Sequence, residues 1–453
     1  MNRMKSQENW LTQFPQILHL KIGMTHPNED IIIEKGTFYL IWENERYELT
    51  GKILFTWLPD LKVKLNGTLI KPLNNSIFPF SNTNFLVEIE NTERNFASTG
   101  FLLRLTSKDL NQISLYLRPP ITFGDLNNKA SQVRFEIPNL RSFNGQPVHN
   151  KKTAFRNRLL FENKEYVITL DKSTSFIEKN QELKERGGFI LLYAGKLVSR
   201  NKSEVSYDET LNVLDSFGYF LQFINGKRTH PLFIKGIHKR KYVWESYTPY
   251  IIDRYKYVKS WSPEHSTEGL LDLWGNFSNL WSNESDRECL RTVLHWYVEA
   301  NLNSAFAVGS IVLIQNALEL LFHWFISEKK RYVNQSDADN ISAAAKIGFL
   351  LSSMQILPDI PKEFEGLIGY AKKYNITNGP EVFIKIRNCI VHPSLKKRIT
   401  LKELEGKAIF EAKELGIWYV EIILLKFMNY KGEYQNRCKL YKGISSTEKI
   451  EKV

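Results

Sequence analysis

Between residues 18 and 198, apolar and polar side chains alternate over short runs broken by Asn, Asp, Gly and Pro, as in residues 38–42, 85–89 and 189–193. Alternation with a period of two puts successive side chains on opposite faces of a pleated strand, so these runs predict many short strands in a sandwich or barrel. The period changes at Ser206. Ser206 and Glu209 have capping-box spacing, and Leu211, Leu214, Phe217 and Leu221 recur at helical intervals, which predicts a helix over 206–224 stopped by Gly226. Residues 231–235 and 241–244 then read as returning strands.

Beyond Pro263 the alternation disappears and helical periods take over, predicting helices over 271–281, 286–300, 305–329, 342–353, 363–374, 381–391 and 401–430. The expected fold is therefore an α+β, β-rich region over residues 1–262, subdivided near residue 200, followed by an all-helical bundle over 263–453. A chain of 453 residues supports this division, because single cores stop growing at roughly 250–300 residues.

Composition changes the picture in three places. Cys289, Cys389 and Cys438 are odd in number, far apart and include no CxxC pair, which points to a reducing compartment. The first residues carry no apolar core of a secretory signal. The apolar stretch 305–326 is interrupted by Gln315, Asn316, Glu319 and His323, so it is expected to be a buried core helix and not a membrane span. A cytoplasmic protein without a membrane partner follows. The net charge of +12 points to a polyanionic partner, of which nucleic acid is the commonest in that compartment.

The chemistry is expected near the end of the helix 381–391. At about 100° per residue, Val382, Phe383, Ile386, Cys389 and Ile390 form an apolar arc, and Lys385, Asn388 and His392 lie opposite. Asn388, four residues before His392, can help to orient the imidazole. Pro393 ends the segment. Arg387 sits at the edge of the apolar arc and requires a partner, since a buried unpaired charge costs several kcal/mol. Glu319, a carboxylate on an otherwise apolar helix, is the expected structural support. An imidazole that moves protons and a guanidinium that holds phosphoryl charge suit cleavage of RNA by its own 2′-hydroxyl, which needs no metal and no cofactor.

The run Ile386-Arg-Asn-Cys-Ile-Val-His-Pro393, with Ala317–Leu320 upstream and Gly416–Glu421 and Tyr430–Arg437 downstream, resembles the HEPN superfamily and its Apea-like group over about residues 287–437. The resemblance implies an all-α HEPN-type bundle and a metal-independent endoribonuclease. It also implies a toxin-like effector of anti-phage abortive infection, working as a homodimer or higher homo-oligomer. Arg387 would bind the scissile phosphate, Asn388 would assist, and His392 would transfer the proton. Lys385, Lys396, Lys397 and Arg398 would hold the RNA backbone. The β-rich region would sense a phage-derived trigger or restrain the nuclease. The alternative is a non-catalytic RNA- or nucleotide-binding or dimerisation module.

Other conspicuous residues read as structural. Trp274, Trp281 and Trp296 are expected to pack, not to stack on bases. His295 and His323 are expected in the core. His230 and His238, with Lys235, Lys239, Arg240 and Lys241, read as a solvated basic loop.

Overall fold

The computed structural model describes residues 10–42, 45–71, 84–89, 96–106, 109–150, 152–302, 306–392, 394–404, 406–439 and 447–452. The fold is α+β, with a β-rich N-terminal region and a helical C-terminal region. Two compact units divide it. The first comprises residues 1–142, 146–218 and 229–256, and the second 143–145, 219–228 and 257–453.

In the first unit, β1 (Ile31–Trp42), β2 (Glu45–Thr56), β3 (Lys62–Leu69), β4 (Asn84–Ile89), β5 (Ala97–Thr106) and β6 (Asp109–Leu117) close into a barrel of order β1-β2-β3-β6-β5-β4. Closure removes the sheet edges. Alternate residues fill the interior, among them Phe38, Leu40, Leu49, Ile53, Val63, Leu65, Val87 and Leu115, all buried.

The same unit holds a second, antiparallel sheet. Its strands are β7 (Thr122–Gly124), β8 (Gln132–Pro138), β9 (Gln146–His149), β10 (Ala154–Glu162), β11 (Tyr166–Lys172), β12 (Leu191–Ser199), β13 (Leu232–His238) and β14 (Lys241–Ser246). They run in the order β7-β14-β13-β8-β12-β11-β10-β9. A helix that the alternating pattern did not suggest, α1 (Phe176–Arg186), interrupts the strands and buries Phe176, Lys179 and Leu183 at helical spacing. One face of the sheet is apolar: Phe161 meets Phe217, and Trp244 meets Tyr207, both on α2 (Tyr207–Asn225).

The capping box forms as expected. The Ser206 amide donates to Glu209 Oε2 at 2.7 Å, and the Glu209 amide donates to Ser206 Oγ at 3.2 Å. Gly226, at φ +72°, ends α2 in the left-handed region that glycine occupies without a Cβ penalty. The loop between β13 and β14 is exposed at Lys239 and Arg240. His230 departs from the solvated reading: it is 4% exposed and stacks on Tyr250 at 3.8 Å. Its Nδ1 lies 2.8 Å from the carbonyl of Pro231. Burial lowers its pKa to about 4, so the ring is neutral at pH 7.

The second unit is built from α3 (Glu268–Ser282), α4 (Glu284–Leu302), α5 (Ala307–Phe322), α6 (Gln335–Ala338), α7 (Ala343–Ser353), α8 (Glu365–Lys373), α9 (Gly379–Val391), α10 (Leu395–Glu403) and α11 (Gly406–Phe427). Past Phe322 the chain continues as a π-helix over His323–Lys329. Strands β15 (Glu433–Gln435) and β16 (Thr447–Lys449) pair after α11, so the region expected to be all-helical also holds a small antiparallel sheet, whose short strands lack the run length that an alternating pattern needs. The helix expected from residue 305 is helical from Ala307, and residues 303–305 lie outside the described residues. By length and composition residues 307–329 qualify to cross a membrane, yet Ile311, Ile314, Leu318, Leu321 and Phe322 are buried inside the fold. That is the pattern of a core helix.

The tryptophans of α3 pack. Trp274, Phe277 and Trp281 stack in a ladder with centroids 6.2 and 5.6 Å apart, and Phe220 meets Trp274 edge-on. Trp296 is half-buried, whereas His295 is exposed and outside the expected core, because it faces away from the buried stripe Leu290, Val293, Leu294, Tyr297 and Val298. Gly416 lets α11 approach closely: a Cβ there would lie 2.6 Å from Phe383 and 2.7 Å from Ile314.

A buried ionic cluster ties α11 to the segment after it. Arg437, 2% exposed, donates from Nε to Glu421 Oε2 at 2.8 Å and from Nη2 to Glu421 Oε1 at 2.5 Å. It also reaches Glu414 Oε2 at 3.4 Å and Asn301 Oδ1 at 3.3 Å. Tyr297 donates to Glu421 at 2.8 Å, and Lys259 and Lys413 each lie 3.0 Å from Glu414. These cations hold the Glu414 carboxyl down at about 2 despite its burial.

Candidate functional site

The helix that carries the expected chemistry is well specified by its sequence. The side chain of Asn378 accepts from the Glu381 amide at 2.9 Å, and Gly379-Pro380 opens the first turn, where a missing N–H costs nothing. Val382, Phe383, Ile384, Ile386 and Cys389 are buried as α9 packs against α5, α7, α8 and α11. His392 is the C-cap, its amide donating to the carbonyl of Asn388 at 3.2 Å. Pro393 lies outside the described residues.

Arg387 is half-buried at the edge of that apolar face. Its Nη1 donates to Asn388 Oδ1 at 3.1 Å, while Nε is buried and has no partner among the described residues. The carbonyl of the Asn388 side chain thus faces Arg387, and its link to His392 runs through the backbone. Glu319 does not supply the expected support. It pairs instead with Lys346 of α7 at 2.9 Å and lies 3.4 Å from Gln315. Lys346 is itself 5% exposed and needs an anion, and it also lies 3.3 Å from His323 Nε2. The carboxylate that seemed uncompensated in sequence is satisfied 27 residues downstream.

His392 is exposed. Five residues at about 100° each place the directions of Arg387 and His392 about 140° apart around the axis, so one protomer does not aim both at a single point. Lys385, Asn388 and His392 do share a face, at spacings of three and four.

α10 begins directly beyond, with the Ser394 side chain accepting from the Lys397 amide at 3.4 Å. Lys396 and Arg398 are exposed and Lys397 is half-buried. No Asp or Glu occurs from residue 385 to 402, while six Lys or Arg do: Lys385, Arg387, Lys396, Lys397, Arg398 and Lys402. Sequence reasoning missed an aromatic beside this charge. Tyr374, half-buried, has the ammonium groups of Lys373 at 5.6 Å and Lys385 at 5.8 Å over its ring. It lies in the break between two helices, where periodicity gives no signal. Leu395 and Ile399, one turn apart on α10, are exposed at 67% and 49%.

Comparison with known proteins corrects the resemblance inferred from the arginine–histidine run. Residues 283–449, which contain the whole run and all of the segments named around it, match the family described as YopA C-terminal domain. Residues 125–258 match the YopA central domain. The HEPN assignment is overturned. An Arg-Asn pair shortly before a His is a short pattern that a helix end carries without shared ancestry. The toxin-like anti-phage role and the phage-derived trigger rested on that assignment and lose their support. A protein of Bacillus subtilis (strain 168), described as SPbeta prophage-derived uncharacterized protein YopA, is 24% identical over 423 residues, covering 91% of this chain and 93% of that protein. No solved structure matches. The chain is thus similar, through both its central and its C-terminal parts, to the YopA family.

Proposed function

We propose that the helical unit binds RNA in the cytoplasm through the outer surface of α9 and α10. The observation that carries this reading is the 18-residue stretch from Lys385 to Lys402, with six cations and no anion, next to an aromatic ring already flanked by two lysines. Fixed positive charge gains affinity for phosphates by releasing counterions, and a half-exposed tyrosine gives a base a surface to stack on. Lys385, Lys396, Lys397 and Arg398 contact phosphates, and Tyr374 receives a base.

Fluorescence anisotropy with a labelled single-stranded RNA, followed across salt concentrations, tests it. Each phosphate contact on a single strand contributes about 0.7 to the slope of log K against log salt. The triple variant Lys396→Ala/Lys397→Ala/Arg398→Ala is expected to flatten the slope by about 2 and to weaken binding at low salt. An unchanged slope refutes the assignment.

A second reading, cleavage of the bound RNA by its 2′-hydroxyl, is favoured by one observation: the Nε of Arg387 is left without a partner among the described residues, five positions before an exposed imidazole. Since the two side chains diverge on one helix, the reaction requires a homodimer or higher homo-oligomer in which Arg387 of one copy meets His392 of another. The exposed Leu395 and Ile399 suit such a contact. Products ending in 2′,3′-cyclic phosphate, lost in His392→Ala while RNA binding stays within threefold, identify cleavage. Intact RNA after prolonged incubation leaves binding alone.

A further inference from the structure

The face of the eight-stranded sheet opposite α2 is a grid of charges. In one cross-strand row, Asp171 of β11 stands opposite Ala194 of β12, Ala194 opposite Glu136 of β8, and Arg158 of β10 bonds Asp171 at 2.6 Å. In the next row Lys196, Arg134, Lys235 and Glu245 stand side by side on β12, β8, β13 and β14. Ionised groups on a sheet face need partners, and here most of the partners are backbone groups of residues 16–22, which cross the strands.

The strap is held by its main chain. Arg158 donates to the carbonyl of Gln16 at 2.8 Å, and the Leu18 amide donates to Asp171 at 2.6 Å. Arg134 donates to the carbonyl of His19 at 2.8 Å, and the amides of Lys21 and Ile22 both donate to Glu136, the latter at 2.9 Å. The Ile17 amide adds a bond to the carbonyl of His149 on β9. Of the side chains of residues 16–22, Ile17 alone is buried, at 4% exposure. An arm kept for packing is anchored by apolar side chains. This one is anchored by charge-assisted bonds to groups that every polypeptide carries.

The receptor also extends beyond its occupant. Where Lys21, Ile22 and Gly23 leave the sheet, a cleft of about 1110 Å³ opens, lined by Lys235, Tyr242, Trp244, Glu245 and Tyr247. Its wall is preorganised: Lys235 lies 2.7 Å from Glu245, and Tyr247 donates to Glu245 at 2.8 Å. Glu136 Oε2 and Arg134 Nε are buried and have no partner among the described residues, so the two rows retain one acceptor and one donor that the strap does not use.

We propose that this charged face is a binding site for an extended polypeptide, read by its backbone, and that residues 16–22 are the resident occupant which an incoming peptide displaces. The strap acts as a tethered competitor. Short tethers give effective concentrations in the millimolar range, so an outside peptide binds weakly until the strap is loosened.

The probe is a fluorescein-labelled peptide with the sequence of residues 15–24, titrated against the full chain and against Leu18→Pro/Ile22→Pro, which removes two strap donors and leaves the sheet unaltered. The peptide is expected to bind the variant at least tenfold more tightly than the unaltered chain, and a scrambled peptide within threefold of the native sequence. Equal affinity for both proteins, or a scrambled peptide more than tenfold weaker, overturns the proposal. If the variant does not fold, hydrogen exchange in the unaltered chain with millimolar peptide decides. The amides of Leu18, Lys21 and Ile22 should exchange at least tenfold faster while β8 and β11 keep their protection, and no change in those amides overturns the proposal.

Discussion

Replacing Arg437 by Met removes a guanidinium that is 2% exposed and bridges Glu421, Glu414 and Asn301. The two carboxylates fare differently. Glu414 keeps Lys259 and Lys413, each at 3.0 Å, and stays compensated. Glu421 is fully buried and keeps only the hydroxyl of Tyr297 among the partners described. Breaking a buried pair by removing one partner costs about 3–5 kcal/mol, chiefly because the other charge is left without compensation. Arg437→Met is therefore expected to destabilise the helical unit by about that amount. Adding Glu421→Gln removes the orphaned charge and should recover about 2 kcal/mol. Two compact units make a single global transition an unsafe measure, so the assay is urea unfolding followed by hydrogen-exchange mass spectrometry on peptides from α11. A loss below about 1 kcal/mol for Arg437→Met, or a double variant no more stable than the single one, would show that the cluster does not work as an electrostatic unit.

Other expectations follow from the same kind of accounting. Glu414 has a folded pKa of about 2, below its unfolded value, so its contribution is present above about pH 4.5 and is lost as pH falls toward 2. At about 1.4 kcal/mol per pH unit this is about 3 kcal/mol, and Glu414→Gln should flatten the acid limb of helical-unit stability measured by α11 exchange. His230, held near 4, binds its proton in the unfolded chain first, so the β-rich unit should lose up to about 3 kcal/mol between pH 6.5 and 4. His230→Gln should abolish that slope in urea midpoints followed by hydrogen exchange of β8 and β13 peptides at pH 7.5 and 5, and equal shifts in both proteins would count against it. Gly416→Ala would push a methyl group to 2.6 Å from Phe383 and 2.7 Å from Ile314. A loss of about 1–3 kcal/mol in urea unfolding followed by hydrogen exchange of α11 peptides is expected, and a neutral result would mean that the α5, α9 and α11 contact yields.

Local periodicity was enough for the local elements. The capping box at Ser206 and Glu209, the stop at Gly226 and most of the helical stripes after residue 263 became structure, because each depends on residues within a turn or two of one another. The helix expected over 401–430, by contrast, is divided at the extended Leu404 between α10 and α11 and ends at Phe427. α1 escaped notice although Phe176, Lys179 and Leu183 carry its spacing, since a short polar helix between strands resembles one more turn-bounded segment. The run from Arg387 to His392 was legible as well, yet its ancestry was misread: a six-residue pattern constrains family far less than a match across 167 residues.

The sequence by itself determined which residues share a face of each strand or helix, and where charge accumulates from Lys385 to Lys402. Tertiary structure decided which faces meet. Period-two alternation says that Arg134 and Glu136 point the same way, but not that β8 lies between β12 and β13, nor that residues 16–22 cross over them. Helical spacing marked Glu319 as needing a cation without showing that Lys346, on another helix, would be that cation in place of Arg387. Pairing between distant elements is set by the packing of whole surfaces, and that information is spread over the chain instead of being written in any one segment.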